Sequence, residues 1–398
     1  MNLEINDIIF LNPKEGIFMK RVLTITAALV LIMAVAANAS ETRTTTMGDA
    51  NNIVKDPGNI WLYPSTINMY PDQAEAVFNN FGNNDLHRVG VHYEFNASNP
   101  MVLGVYVVNN AQDSSFSKYF DPPMNSNVSL SSFSTQTNTN RSFNVFWGKN
   151  WNGNPFGVHF RLHNSSWEGS PDNLGINSKQ SLTNFYANFG LTTSGGNVDW
   201  ALAFWWTTWK DKSDSIFVPS LSNPDGNYGL NLRVRRWNSV SSKLTWVWHG
   251  QLMYEKQGET RVFDPNEPSP PPDPTTDISK CTHYLGDVGI GLNYTATSRA
   301  LFILDFGLRY NSVKEEITPD TANPAVTQTK LRDLSIPYWR VGMDGEVFSW
   351  LDLRFGATNE NKYITDEQIT PSPAVENKDA GSNTHTFLGA GMHWGDNN

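Results

Sequence analysis

Cysteine occurs once in 398 residues, at Cys281, so the chain can build neither a disulfide framework nor a cysteine-based metal site. Charge is sparse as well: Asp, Glu, Lys and Arg together make up 17% of the residues, against about 25% in soluble domains. What charge there is leans acidic, with a formal net value of -10. That balance excludes the basic footprint that nucleic acid requires. Beyond Ala37 no stretch is long and apolar enough for a membrane helix. Signatures of catalysis are equally scarce. His159 and His163 share one strand face, but a spacing of four residues is about 13 Å along a strand, too far to share a metal unaided. His87, His249, His283, His385 and His393 show no ligand spacing, and no nucleophile motif is present. No cofactor is expected, and the chain does not read as an enzyme.

What the chain has in quantity is alternation. Val89, Val91, Tyr93 and Phe95 face one way while Arg88, His92 and Glu94 face the other. Phe156, Val158, Phe160 and Leu162 oppose His159, Arg161 and His163; Tyr228, Leu230, Leu232 and Val234 oppose Asn231, Arg233 and Arg235. The pattern returns in Phe302, Leu304, Phe306, Leu308 and Tyr310 against Asp305 and Arg309, and in Leu351, Leu353 and Phe355 against Asp352 and Arg354. Side chains on a strand alternate between faces, so each segment is a strand with one apolar and one wet side. About a dozen such strands cannot fill a barrel interior with apolar side chains, and they leave a lumen. A hydrated lumen accommodates Arg, Asp and His, whereas burying each of them dry costs several kcal/mol per ion. The repeats are about nine to eleven residues long, the span of a tilted transmembrane strand. The apolar face is therefore the outside, against lipid, and the fold is an all-β, transmembrane, antiparallel up-and-down barrel.

Residues at the N-terminus agree with export. Lys20 and Arg21 precede an apolar run from Val22 to Ala37, and Ala37-Asn38-Ala39 has the small-x-small pattern of a cleavage site. Residues 1–39 are thus expected to be a signal peptide, with Met19 as the true start and Ser40 as the first mature residue. The expected location is the outer membrane of a diderm bacterium.

Connection lengths set the topology. Breaks at Asn96–Pro100, Asn150–Pro155, Thr193–Asn197, Asn238–Ser242, Ala296–Arg299 and near Ser349 are short. Those at Asn109–Asn140, Asn164–Leu182, Lys210–Gly226, Lys256–Thr282, Asn311–Asp333 and Asn359–Asn383 are long. Short turns belong to the periplasmic side and long loops to the outside. An ascending strand, Ala74–Phe81, is needed before Leu86 and brings the expected count to about fourteen. Phe95, Trp147, Phe156, Trp200, Trp237, Tyr294, Phe348 and Trp394 fall beside the short turns, and Trp206, Tyr228, Tyr254, Tyr284, Tyr310 and Trp339 near the opposite rim. Two interfacial aromatic belts follow. The acidic, proline-rich part of Val262–Lys280 reads as an external projection.

Residues 40–73 precede the barrel at 74–398. Arg43-Thr44-Thr45-Thr46-Met47-Gly48, followed by Asp56-Pro57-Gly58-Asn59-Ile60-Trp61-Leu62-Tyr63-Pro64-Ser65, resembles the opening of the long-chain fatty acid transporter (FadL) superfamily. Those barrels begin with a Met-Gly element, an acidic residue and an Asn-Pro-Ala-like element; Tyr63-Pro64-Ser65 stands in the last position. The resemblance covers about 30 residues and departs from the family at Tyr63, at Ser65 and in the lack of a terminal aromatic. It implies fourteen strands around an N-terminal hatch folded into the lumen, with Asp56, Asn59, Pro64 and Ser65 in the hatch.

One strand, Met101–Val108, is apolar on both faces, so Val102, Tyr106 and Val108 or their neighbours must face inward; Trp205 and Trp209 do the same later. Such a patch suits either packing against the hatch or an amphipathic ligand, with its tail on Tyr106 and Trp205 and its head group near Arg233 or Arg235. Gly104 is the expected place for a break in strand pairing. The leading function is passage of hydrophobic or amphipathic small molecules across the outer membrane, with outer-membrane lipid around the barrel. The alternative is a non-transporting accessory barrel that holds a secretion or surface partner protein, and a barrel-embedded hydrolase using His249, His283 and Asp287 ranks third.

Overall fold

The computed structural model describes residues 40–79, 86–95, 100–110, 140–169, 178–193, 195–213, 220–224, 227–263, 276–318, 327–369 and 375–392. The signal segment, the tip of the proline-rich loop and Trp394 lie outside the described residues. Fifteen β segments form one antiparallel sheet in which each pairs with its successor, except that β8 and β9 lie end to end between β7 and β10. They are β1 (Gln73–Asn79), β2 (Leu86–Phe95), β3 (Met101–Asn110), β4 (Asn140–Trp151), β5 (Asn154–Gly169), β6 (Ser178–Thr193) and β7 (Val198–Ser213). After them come β8 (Ser220–Pro224), β9 (Asn227–Ser239), β10 (Leu244–Phe263), β11 (Thr276–Thr297), β12 (Ala300–Thr318), β13 (Thr327–Phe348), β14 (Leu351–Ile369) and β15 (Val375–Met392). Both β8 and β9 pair with β7 and β10, so they are two pieces of one interrupted strand, and the up-and-down barrel has fourteen.

The short turns are tight. At Asn152 and Gly153 φ is 51° and 78°, and at Gly195 and Gly196 it is 67° and 89°, the left-handed region that Asn and Gly enter at least cost.

Inside and outside separate as the alternation requires. Arg88, His92, His159, Arg161, Asp199, Arg235, His249, Asp287, Asp305 and Arg340 are buried, while Val91, Leu103, Phe160, Leu202, Leu232, Trp248, Val288, Phe306 and Leu353 are exposed. Large inward rings find room over glycines on the neighbouring strand: Tyr106 over Gly90, Trp205 over Gly229 and Tyr338 over Gly307.

Four expectations are corrected. Strands run well past eleven residues, to 22 in β11 and β13, so much of the long breaks after Lys256, Asn311 and Asn359 is continued hairpin rather than loop. The Lys210–Gly226 break contains the end of β7 and all of β8. Trp237 is inward and 6% exposed, so it is no part of the outer belt. Gly104 marks no break: β3 pairs residue by residue with β2 (His92 opposite Gly104) and with β4 (Phe146 opposite Gly104). Its missing side chain instead leaves space beside Ile67.

Candidate functional site

Residues 40–69 fold as one turn-rich run: α1 (Ser40–Thr46), then 3-10 turns at Ala50–Asn52, Pro57–Trp61 and Pro64–Met69. Proline opens the last two turns, where its missing N–H is no loss. Asp56 caps the middle one. Its carboxylate accepts from Gly58 N at 2.9 Å, Asn59 Oδ1 accepts from Asp56 N at 3.2 Å, and Asn59 Nδ2 reaches Asn51 O at 3.2 Å. Asp56 and Asn59 are each 1% exposed, so this local box closes polar groups that have little water left.

The run lies against the inner wall, close to the short turns. Its course is matched by inward-facing glycines: Gly148 on β4, Gly157 on β5, Gly190 on β6, Gly291 on β11, Gly342 on β13, Gly356 on β14 and Gly389 on β15. A Cβ on any of these would come under 3.0 Å from the run. On Gly157 it would meet Pro64 O; on Gly190, Ser65 N; on Gly356, Thr46 O and Gly48 N; on Gly342, Met47 O. The contacts at Gly148, Gly291 and Gly389 are with Ile67, Ile53 and Thr46 side chains. Since interiors are close-packed, any side chain at these places must displace backbone or a neighbour.

Polar staples complete the fit. Arg235 Nε donates to Asp199 at 2.8 Å, its Nη1 donates to Asn51 O at 2.8 Å, and its guanidinium lies 4.2 Å over the Tyr63 ring. Burial pushes the Tyr63 phenol up to about 12, so it stays neutral beneath that cation. Ser65, Thr192 and Asp199 form a hydroxyl–hydroxyl–carboxylate chain with 2.8 Å at each step. Asn188 Nδ2 donates to Leu62 O at 3.2 Å, Asn68 Nδ2 to Phe156 O at 3.0 Å and Arg340 Nη1 to Asp49 O at 2.8 Å. Arg43 joins the strand wall to the run through Asp344 at 2.6 Å and Asp56 at 3.5 Å.

At the centre stands Trp61, 2% exposed. Its ring meets Tyr106 at 5.1 Å, Phe146 at 4.8 Å and His159 at 5.3 Å, all edge-on, while the Arg88 guanidinium lies 4.7 Å away. Edge-on aromatic contacts and a cation over the ring each add about 0.5–1.5 kcal/mol beyond burial. Trp61→Ala is therefore expected to loosen the run by about 3–5 kcal/mol, the usual cost of truncating a buried Trp. Faster hydrogen exchange across residues 50–69, with the strands unchanged, would register it; equal exchange would contradict the Trp61 anchor.

Of the residues expected to meet a ligand, Tyr106 and Trp205 belong to one buried cluster with Ile60, Trp61 and Ile67. Trp205 also donates to Glu255 at 3.3 Å. Arg235 is committed to Asp199 and Asn51, whereas Arg233, 8% exposed, has no hydrogen bond or ion pair among the described residues. The Trp209 side chain lies outside the described residues. Asp56, Asn59, Pro64 and Ser65 all sit on the inner run, buried.

Further along the bore, His249 lies 3.0 Å from Asp305 and 3.8 Å from Asp287. Asp287 also takes Arg309 and the Tyr338 hydroxyl, both at 2.8 Å. His283 is apart from them, against Glu255 and Asn311, so the three groups weighed as a hydrolase set do not converge. Among the described residues no group of His, Cys, Asp or Glu could hold a metal.

No family model matches the chain, and no curated protein matches it. Among solved structures it is similar to the ferric yersiniabactin uptake receptor FyuA from Yersinia pestis, at 10% identity and a TM-score of 0.37, over 76% of this chain. The chain spans 59% of that receptor. The FadL resemblance thus rests on residues 43–65.

Proposed function

We propose that this chain is an integral outer-membrane barrel whose periplasmic mouth is closed by its own N-terminal run acting as a hatch. In this reading it passes hydrophobic or amphipathic small molecules when that hatch shifts. The observation that carries it is the set of inward glycines on seven strands, each leaving room for the run. Wall and run are shaped to each other, as a hatch seated in its barrel requires. The apolar patch of Tyr106 and Trp205 is filled by Ile60, Trp61 and Ile67 in this state. A ligand tail would take the place of those side chains, and its head group would meet Arg233, a lumenal arginine whose side chain has no hydrogen bond or ion pair among the described residues.

The test is fatty-acid and detergent binding to the purified barrel, with Tyr106→Arg and Trp205→Arg as variants. Loss of affinity of about tenfold in both, about 1.4 kcal/mol, supports the ligand reading, and unchanged affinity in both removes it. A second reading, an accessory barrel that holds a partner protein, is favoured by the number of staples on the run, above all the buried Arg235–Asp199 pair. A barrel that passes no solute and co-purifies with one stoichiometric protein would decide for it.

A further inference from the structure

The outward face of the sheet is apolar around most of its periplasmic half, and one cation interrupts it in an unusual setting. Arg236 is exposed on β9, between the inward Arg235 and Trp237. Its side chain has no ion pair or hydrogen bond among the described residues, although eight other arginines hold carboxylates there. Around it is an open groove of about 740 Å³, lined by Arg236, Asn238, Trp246, Trp248 and Ile290. Register explains the groove: Arg236 is opposite Trp248 on β10, and Trp248 is opposite Ile290 on β11. The three side chains form one row across three strands, with Asn238 and Trp246 in the row nearer the turn.

The height of that row is set by the other neighbour. Across from Arg236 on β7 is Val198, the first residue of that strand after its periplasmic turn. Arg236 therefore sits at the periplasmic rim of the outer wall, where the bilayer's phosphates lie, with Trp246 and Trp248 at the depth that amphipathic rings prefer. An exposed guanidinium in apolar surroundings needs an anion, and its fork of donors matches phosphate oxygens in a bidentate way.

We propose that this groove is a binding site for one glycerophospholipid of the periplasmic leaflet, its phosphodiester on Arg236 and an acyl chain along Trp248 and Ile290. Asn238 supplies a further polar contact for the head group. The site rests on the membrane-spanning reading, but it is independent of what the lumen carries.

Native mass spectrometry on the full mature chain, extracted in mild detergent and supplied with phosphatidylglycerol, tests it. The expected result is one retained lipid per barrel in the parent protein and at least a fivefold loss of that species in Arg236→Gln. Trp248→Leu keeps the charge and removes a groove wall; it should weaken retention as well. Lys149→Gln changes a rim cation elsewhere on the wall and should retain the lipid as the parent does. Equal retention by the parent, R236Q and W248L overturns the site, as does equal loss in K149Q, which would mean charge at the rim matters and the groove does not. A gel shift on heating shows that each variant is a folded barrel. Should a variant fail that check, Arg236→Lys, which keeps the charge without the fork, takes its place and is expected to bind more weakly than the parent. Failure of the parent chain to enter detergent or membrane at all would sink the spanning reading itself, a result distinct from an unaltered lipid count.

Discussion

Replacing Gly157 and Gly190 with leucine is expected to drive the N-terminal run off the wall and open the bore. The two glycines face each other across β5 and β6, and between them they accept Pro64 and the Ser65 amide. Overpacking a well-filled interior costs about 1–3 kcal/mol per site, and here the obstacle is backbone on one side and strand on the other. Neither can turn aside as a flexible side chain would. The double variant should therefore lose about 3 kcal/mol or more of docking, enough to make the undocked state common. In planar bilayers the expected change is from a closed protein to one with persistent ion conductance, accompanied by protease cleavage within residues 50–69. Gly345→Ala is the control, since nothing lies within 4 Å of its missing side chain. A double variant as silent as that control would contradict the gate.

The second large effect is expected at Arg235. Its side chain and that of Asp199 are each 1% exposed and 2.8 Å apart, so neither has water to fall back on. Arg235→Met leaves the carboxylate buried without its cation, a loss of about 3–5 kcal/mol. It also removes one of the two donors to Asn51 O and uncovers the Tyr63 ring. Urea unfolding in lipid vesicles should shift to lower denaturant accordingly. Adding Asp199→Asn to Arg235→Met removes the orphaned charge and should restore part of the loss, because leaving one charge alone costs more than removing both. If the double variant is no better than R235M, the cost lies in the missing contacts with Asn51 and Tyr63 rather than in the charge.

Strand pairing ends in an open register: no pairing joins β1 to β15 among the described residues, and β15 is exposed along most of its length. Thr46 on α1 lies against Gly389 there. The N-terminal run thus meets the last strand at one end of its course and β3 to β6 at the other. It bridges two sides of the sheet that no strand pairing joins among the described residues.

Alternation was enough to find which residues face in. Arg88, Arg161, Asp305 and Arg233 could be assigned to the lumen from parity alone, because a one-residue change of register would send every charge toward lipid; Val102 and Tyr106, on a strand apolar on both faces, could not be told from their neighbours that way. The same signal failed where lipid ends. In the outer parts of β12 to β15 polar residues follow one another directly, as in Lys314-Glu315-Glu316 and Thr365-Asp366-Glu367, so no period of two shows, and those hairpins read as loops although they stay paired. Trp237 misled for a related reason: an aromatic beside a short turn fits a rim belt, yet only its parity on β9 puts it inside, 5.1 Å from Arg235.

By itself, then, the order of residues determined an all-β barrel with an apolar exterior, a charged bore and short turns at one end, since those follow from solvent on either side of a two-period strand. The inner partners were a matter for tertiary structure alone. That Trp61 meets Tyr106, that Arg235 chooses Asp199 and Asn51, and that seven glycines make way for one run all depend on contacts between residues remote in the chain. No local period encodes such contacts, because they are set by how the sheet curls and by what its curvature encloses.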